Sequence, residues 1–100
     1  MDAFDQPILT LVLSLPLAED MVADLQQDYI FDASTLDIDT VFVTAYTAFL
    51  DKIKSEAHSR VLVVNNPFLS LFPETVVAVP TVGEAEDIIE MERIERDLGF

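Results

Sequence analysis

Four short apolar runs constrain this fold more than any other feature of the sequence. They cover residues 8–15, 29–33, 61–64 and 75–79, and each has the length of a β-strand. Most are rich in β-branched or aromatic side chains, which favour strands. A near-continuous apolar run is typical of a strand that is buried on both faces, as in a parallel sheet covered by helices. The runs therefore predict about four mainly parallel strands in an α/β fold.

Two helical patterns lie between the first three runs. Apolar side chains recur at helical spacing over residues 17–25 behind Pro16, which predicts a first helix that ends near Gln27. A second apolar stripe extends over residues 42–57. Its β-branched residues favour a strand, but its length favours a helix. The carboxylate of Asp39 suits the N-cap of this helix, because it can accept from free first-turn amides.

A short helix and a long one complete the pattern. Residues 67–72 predict a single helical turn or short helix. Thr81 and Glu84 have the spacing of a capping box at the start of the last helix. The predicted apolar stripe of that helix is Ala85, Ile88, Met91, Ile94 and Leu98. The predicted order is β-α-β-α-β-(short α)-β-α in one domain over residues 1–100.

The chain is strongly acidic although half of its residues are apolar. Nineteen Asp and Glu stand against five Lys and Arg, so the formal net charge is −14, while 51% of the residues are apolar. That apolar content argues against disorder. Nucleic-acid binding is excluded as a function class, because phosphate contacts need clustered Lys and Arg. We expect any partner to be neutral or basic where it docks, with binding that weakens as salt rises.

The N-terminal sequence and the lack of cysteine bear on location and chemistry. Residues 1–5 are acidic rather than basic, unlike a signal peptide, and the apolar run 8–15 is too short to span a bilayer. We therefore predict a soluble, cytoplasmic protein without a membrane span. Because the chain has no cysteine, disulfides, thiol catalysis and cysteine-ligated zinc are excluded.

No known catalytic or cofactor-binding pattern follows the predicted strands. Two glycines cannot build the dinucleotide motif or the P-loop, which place glycines where backbone amides approach phosphate. A phospho-receiver domain needs an acidic pair after its first strand and a Lys after its last. This chain has Leu15-Pro16 and Pro80-Thr81 at those places. We therefore predict a non-enzymatic protein with no cofactor and no metal site.

The most chemically varied stretch follows the second predicted strand. Asp37 and Asp39 could bind a hard cation through carboxylate oxygens, or one could cap the helix while the other is solvated. Thr40 opens the helix, where free amides favour an anion such as phosphate, or it is a first-turn hydroxyl without a chemical role. His58 is a lone histidine in no recognisable pattern with an acidic or nucleophilic partner, which is typical of a surface residue rather than a catalyst.

Three of these stretches resemble the STAS superfamily, and most closely its stand-alone anti-sigma-factor antagonists. In that family a loop Asp precedes a Ser or Thr that opens a long helix, and Asp39-Thr40 matches this pattern. An Asn-Pro-type turn is matched by residues 65–67, and a Pro-Thr-x-x-Glu-Ala helix start by residues 80–85. The resemblance extends from about residue 28 to the end of the sequence and implies a STAS-like sandwich.

The resemblance also implies a function. In the antagonists a kinase-type anti-sigma factor phosphorylates the hydroxyl after the Asp, and the unphosphorylated form binds that kinase. Carried over to this sequence, Thr40 is the candidate phosphoacceptor. The candidate partner-binding residues are Asp37, Asp39, Thr40, Val41 and Phe42. This sequence departs from the family where bulky residues 41–43 replace the usual small ones. The resemblance thus predicts a regulatory protein-binding module that is a phosphoprotein, controlled by phosphorylation at Thr40.

Two alternatives come from the apolar residues. Phe68 and Phe72 lie on the short predicted helix, which offers them little cover, so they are candidate contacts for an apolar ligand or lipid, or for a second copy. The apolar content also exceeds what a small domain easily buries, which favours a homodimer of structural role.

Overall fold

The computed structural model describes residues 6–99. The predicted domain also includes the acidic residues 1–5 and Phe100, which lie outside the described residues. The chain forms a four-stranded sheet whose strands are all parallel. The strands follow one another across the sheet in chain order, β1-β2-β3-β4. Their bounds, with those of the two α-helices, are β1 Ile8–Val12, β2 Asp28–Asp32, α1 Thr40–Ile53, β3 Arg60–Val63, β4 Ala78–Val79 and α2 Val82–Asp97. The predicted α/β class and parallel sheet are confirmed.

Helices cover both faces of the central strands, which explains their unbroken apolar character. Phe31 of β2 points into the core with α1, whereas its neighbour Ile30 points into the core with α2. Both side chains are fully buried. Because successive side chains alternate between the faces of a sheet, a strand covered on both sides needs apolar residues at every position.

Helix α1 begins where the sequence predicts and buries one aromatic stripe. The carboxylate of Asp39 accepts from the backbone amide of Phe42 at 2.9 Å, which confirms the predicted N-cap. Its buried side chains are Phe42, Tyr46, Phe49 and Ile53. The rings of Tyr46 and Phe49 meet Phe31 of β2 edge-on, at centroid distances of 6.2 and 5.5 Å. This burial outweighs the strand preference of the β-branched residues in the first turns.

Helix α2 lies on the other face of the sheet, and its buried side differs from the prediction. The hydroxyl of Thr81 accepts from the amide of Glu84, as the capping-box spacing predicts. The buried residues are Ala85, Ile89 and Arg93, with Val82 and Ile88 partly buried against the same core. The predicted stripe was therefore wrong beyond its first two members, because the helix turns Arg93 inward to meet a buried carboxylate.

The first predicted helix does not form. The chain between β1 and β2 makes only a 3-10 turn at Glu19–Met21. Further along, the carboxylate of Asp24 accepts from the amide of Gln26 at 2.8 Å. Such a local bond gives the backbone an alternative to the helix. The apolar spacing instead reflects Val22, which is buried, and Leu17 and Met21, which pack against the core although no α-helix forms between them.

The short predicted helix is a 3-10 helix, Asn66–Leu71, between β3 and β4. Within residues 6–99, neither α1 nor α2 has the length and apolar character that crossing a membrane would require.

Candidate functional site

The residues predicted for the site lie at the carboxyl end of β2. The loop from this strand to α1 is fastened at two points. The carboxylate of Asp32 accepts from the amide of Ser34 at 2.9 Å, and the side-chain amide of Asn65 donates to the carbonyl of Ser34 at 2.9 Å. Asn65 follows β3, so the turns after two neighbouring strands are joined. These bonds position the start of α1 at the edge of the sheet where α/β proteins usually place function.

Thr40 is the first residue of α1, and it is exposed. Its neighbour Asp39 is also exposed, and one carboxylate oxygen of Asp39 caps the helix. Asp37 is exposed in the preceding loop. The hydroxyl of Thr44 donates to the backbone carbonyl of Thr40 at 3.0 Å, one turn further on. The side chain of Thr40 is therefore open to solvent at a helix N-terminus, where the helix dipole favours an anionic group.

The structure divides the remaining two candidate partner contacts. Val41 is 74% exposed, the largest exposure among the large apolar side chains described. Phe42 is only 3% exposed. Its ring stacks on Tyr46 at 6.1 Å and meets Phe72 edge-on at 6.2 Å. Phe42 consequently belongs to the core and does not present its ring to a partner, because successive helical residues point 100° apart.

The outer face of α1 carries no charge over its first three turns. No charged residue occurs between Asp39 and Asp51, in a chain of which 24% is charged. The exposed or half-exposed residues of this face near the helix start are Thr40, Val41, Thr44 and Ala45, which together line a shallow depression. We call these four residues the α1 surface. It is an uncharged patch on a protein whose formal net charge is −14.

Phe68 and Phe72 cover the far side of the same aromatic core. Both are partly buried on or next to the 3-10 helix. The ring of Phe72 lies edge-on to Phe42 and to Tyr46, at 6.2 and 6.3 Å. Phe72 therefore contributes to core packing, which accounts for its apolar character without a ligand.

A second cluster lies at the amino ends of β2 and β3, and sequence reasoning missed it. The carboxylate of Asp28, 3% exposed, accepts from Nε of Arg93 at 2.6 Å and from the amide of Ser59 at 2.7 Å. Arg96 and His58 each have a nitrogen 3.6 Å from the same carboxylate. His58, predicted to lack an acidic partner, is thus largely buried beside one that lies 30 residues away in sequence. We call these five residues the Asp28 cluster.

Arg60 adds a third arginine beside this cluster. Its guanidinium donates to the backbone carbonyls of Leu25, Gln27, Ile53 and Ser59. Burial lowers the pKa of Arg60 from its usual value, and the negative charge of Asp28 partly restores it. Because Ile53 is the last residue of α1, this arginine also satisfies a carbonyl at the helix C-terminus.

The Asp28 cluster joins separate elements of the fold. Each charge in it faces a partner from another element: Asp28 begins β2, Ser59 precedes β3, and the arginines lie on α2. The signal for it in the sequence was the position of charged residues directly before apolar runs, where a buried strand begins. Nothing in the spacing says that these residues meet.

Asp37 and Asp39 do not form part of a metal site among the described residues. Within residues 6–99, no group of three His, Asp or Glu side chains is arranged to hold a metal ion. Asp39 instead directs one oxygen to the helix cap.

Comparison with protein families, with curated proteins and with solved structures finds no match to this chain.

Proposed function

We propose that this protein is a non-enzymatic regulatory module that binds another protein through the α1 surface, and that phosphorylation of Thr40 controls the binding. The observation that carries the proposal is the exposure of Thr40 at the start of α1, directly beside Val41, which is 74% exposed. The sequence resemblance to anti-sigma-factor antagonists supports the same residue as phosphoacceptor. It also supports a kinase-type anti-sigma factor as the partner.

The charge distribution explains how a phosphate would act. The α1 surface is uncharged, whereas the rest of the protein is strongly acidic. An apolar or acidic partner can therefore dock on the α1 surface without charge repulsion. Phosphorylation of Thr40 adds about −1.5 to −2 charges to this surface, next to Asp37 and Asp39. The helix N-terminus offsets part of that cost. An apolar or acidic partner surface would nevertheless lose affinity, because it would have to bury the phosphate.

The test is photo-cross-linking in the cells that make the protein. A photoreactive phenylalanine analogue replaces Thr44 on the α1 surface, and a control replaces Thr75, which is exposed in the loop before β4. We expect one protein to cross-link from position 44 and not from position 75. Adding Thr40→Glu should abolish this product, whereas Thr40→Ala should keep it. Mass spectrometry of the purified wild-type protein should find phosphate on Thr40.

The proposal would be contradicted by two results. One is the same cross-linked species from both positions, which would mean general surface contact. The other is a cross-link from position 44 that Thr40→Glu leaves at full yield, which would remove Thr40 as the control point.

A specific observation also favours a homodimer as a second candidate. β1 is an edge strand, and residues 6–18 carry no charge. Val12 is 61% exposed and Leu9 is 36% exposed on this strand. Exposed apolar edge strands readily pair with another chain. Sedimentation velocity at micromolar concentration tests it: a dimer should become a monomer in Val12→Lys and persist in Val77→Lys, whereas a wild-type monomer at every concentration excludes it.

A further inference from the structure

The outer side of α2 carries an apolar stripe that nothing in the described chain covers. Met91 is 62% exposed, Ile94 48% and Leu98 62%. Their spacing of three and then four residues places them on one line along the helix. The inner side of the same helix is Ala85 and Ile89, both fully buried against the sheet. We call Met91, Ile94 and Leu98 the α2 stripe.

Acidic side chains border this stripe. By helical spacing, Glu90 and Asp97 lie along one side and Glu84 and Glu95 along the other, and Asp87 stands one turn before Met91. All five acids are exposed. Within residues 6–99, no salt bridge joins any of them to a basic group.

The basic residues of α2 do not neutralise these exposed acids, because they face the sheet. Arg93 is buried against Asp28, and Arg96 donates to the hydroxyl of Ser59 at 3.0 Å. The Asp28 cluster thus draws both positive charges of α2 inward and leaves its outer side with only acidic charges.

We propose that the α2 stripe docks an amphipathic helix of a partner protein, with an apolar side that meets the stripe and Lys or Arg on both flanks. Apolar residues at this spacing are how one helix recognises another, and charges beside the seam choose the partner. A second copy of this chain is a poor occupant, because it would place acids against acids on both sides of the seam. The α2 stripe and the α1 surface belong to helices on opposite faces of the sheet, so the module would hold two partners at once.

The probe is a synthetic helical peptide of about 20 residues, long enough to form a helix on binding. It carries Leu along one stripe and Lys on both flanks, and a matched peptide has Glu in place of Lys. Fluorescence anisotropy measures the affinity of each for the purified protein. We expect the Lys peptide to bind and the Glu peptide not to bind. We also expect binding to weaken as salt is raised, because charges at the rim are screened.

Variants distinguish specific binding to the α2 stripe from nonspecific electrostatic attraction of a basic peptide to an acidic protein. Replacing two stripe residues in the double variant Ile94→Gln/Leu98→Gln should weaken binding of the Lys peptide by about tenfold or more. The control Leu25→Gln changes an apolar residue that is 46% exposed on the loop before β2, outside both proposed surfaces, and should leave the affinity unchanged. Circular dichroism and thermal unfolding of each variant should match wild type, since all three positions are exposed.

Two outcomes would overturn the proposal. Equal binding by wild type and the double variant would show that the peptide follows net charge alone. A wild-type dimer that the double variant converts to a monomer would show that a second copy covers the stripe. Neither outcome bears on the α1 surface, whose test uses Thr40 and Thr44, so the two proposals fail independently.

Discussion

Nε of Arg93 donates to Oδ2 of Asp28 at 2.6 Å, and the two residues lie 65 positions apart in the sequence. Both side chains are at most 5% exposed. The pair joins the last half of α2 to the first residue of β2, so the helix is held at the amino edge of the sheet by charge as well as by apolar packing. The amide of Ser59 donates to the other carboxylate oxygen and adds β3 to the same joint.

Replacing Asp28 should therefore be costly. Asp28→Asn leaves the buried guanidinium of Arg93 without a counter-charge, and we expect the free energy of unfolding to fall by about 3–5 kcal/mol. Urea unfolding followed by circular dichroism measures it. The control Asp51→Asn breaks an exposed pair with Lys54 and should change stability by less than about 1 kcal/mol. Equal losses in the two variants would mean that the buried pair is not a major joint.

Tyr46→Phe should stabilise the protein. The hydroxyl of Tyr46 is buried and has no hydrogen-bond partner among residues 6–99, so the folded state bears its desolvation cost. Removing it should raise the free energy of unfolding by about 1 kcal/mol. Tyr29→Phe is the matched control, because the hydroxyl of Tyr29 accepts from the amide of Asp24 at 3.4 Å. That variant should bring no gain, and a loss of stability in Tyr46→Phe would show that the hydroxyl has a partner in solution.

The same tyrosine should make the protein sensitive to alkali. Burial raises the pKa of Tyr46 above its usual value, so the unfolded chain releases this proton at lower pH than the folded protein does. Stability from this group is complete below the unfolded pKa of about 10 and falls as pH rises above it. Thermal unfolding from pH 8 to above 10 should show the fall, and it should be smaller in Tyr46→Phe.

Absorbance gives a second measure of that titration. The chain has two tyrosines and no tryptophan, so the tyrosinate signal is free of overlap. We expect the part of the signal that disappears in Tyr46→Phe to develop only together with unfolding. If it develops while circular dichroism still reports the folded state, the Tyr46 ring is open to solvent.

The cap of α1 offers a prediction about the candidate site itself. Asp39→Ala removes the acceptor for the amide of Phe42 and should lower the free energy of unfolding by about 1 kcal/mol. Asp37→Ala, two residues earlier and exposed, should lie within about 0.5 kcal/mol of wild type. Chemical unfolding of both variants compares them, and a larger loss in the Asp37 variant would assign it the structural role instead.

Local patterns predicted the elements whose signal is local. The unbroken apolar runs predicted a parallel sheet covered on both faces, and Asp39 and Thr81 marked the starts of α1 and α2. Both caps depend on a side chain reaching an amide within three residues, which the sequence alone specifies. The same kind of reasoning placed Thr40 at the start of α1, and the structure shows that it is exposed there.

Two predictions, the first helix and the exposure of Phe42, were wrong because tertiary packing decided them. Residues 17–25 show helical spacing, yet Val22 reaches the core from a loop, because a short amphipathic segment has little helical stability of its own. Phe42 looked like a surface contact beside Thr40 but faces the aromatic core. The STAS topology and the phosphorylation of Thr40 stay predictions.

What the sequence determined by itself is therefore the class of the fold, the caps, and the strong acidity of the surface, since each follows from residues close together in the chain. Only the tertiary structure decided which charges meet. It brought Arg93 and Arg96 from α2 to Asp28 at the start of β2, because the buried carboxylate needs counter-charges that its own neighbours do not supply. These contacts with Asp28 turn both arginines of α2 inward. They leave Met91, Ile94 and Leu98 on the outer side of the helix, among acidic residues.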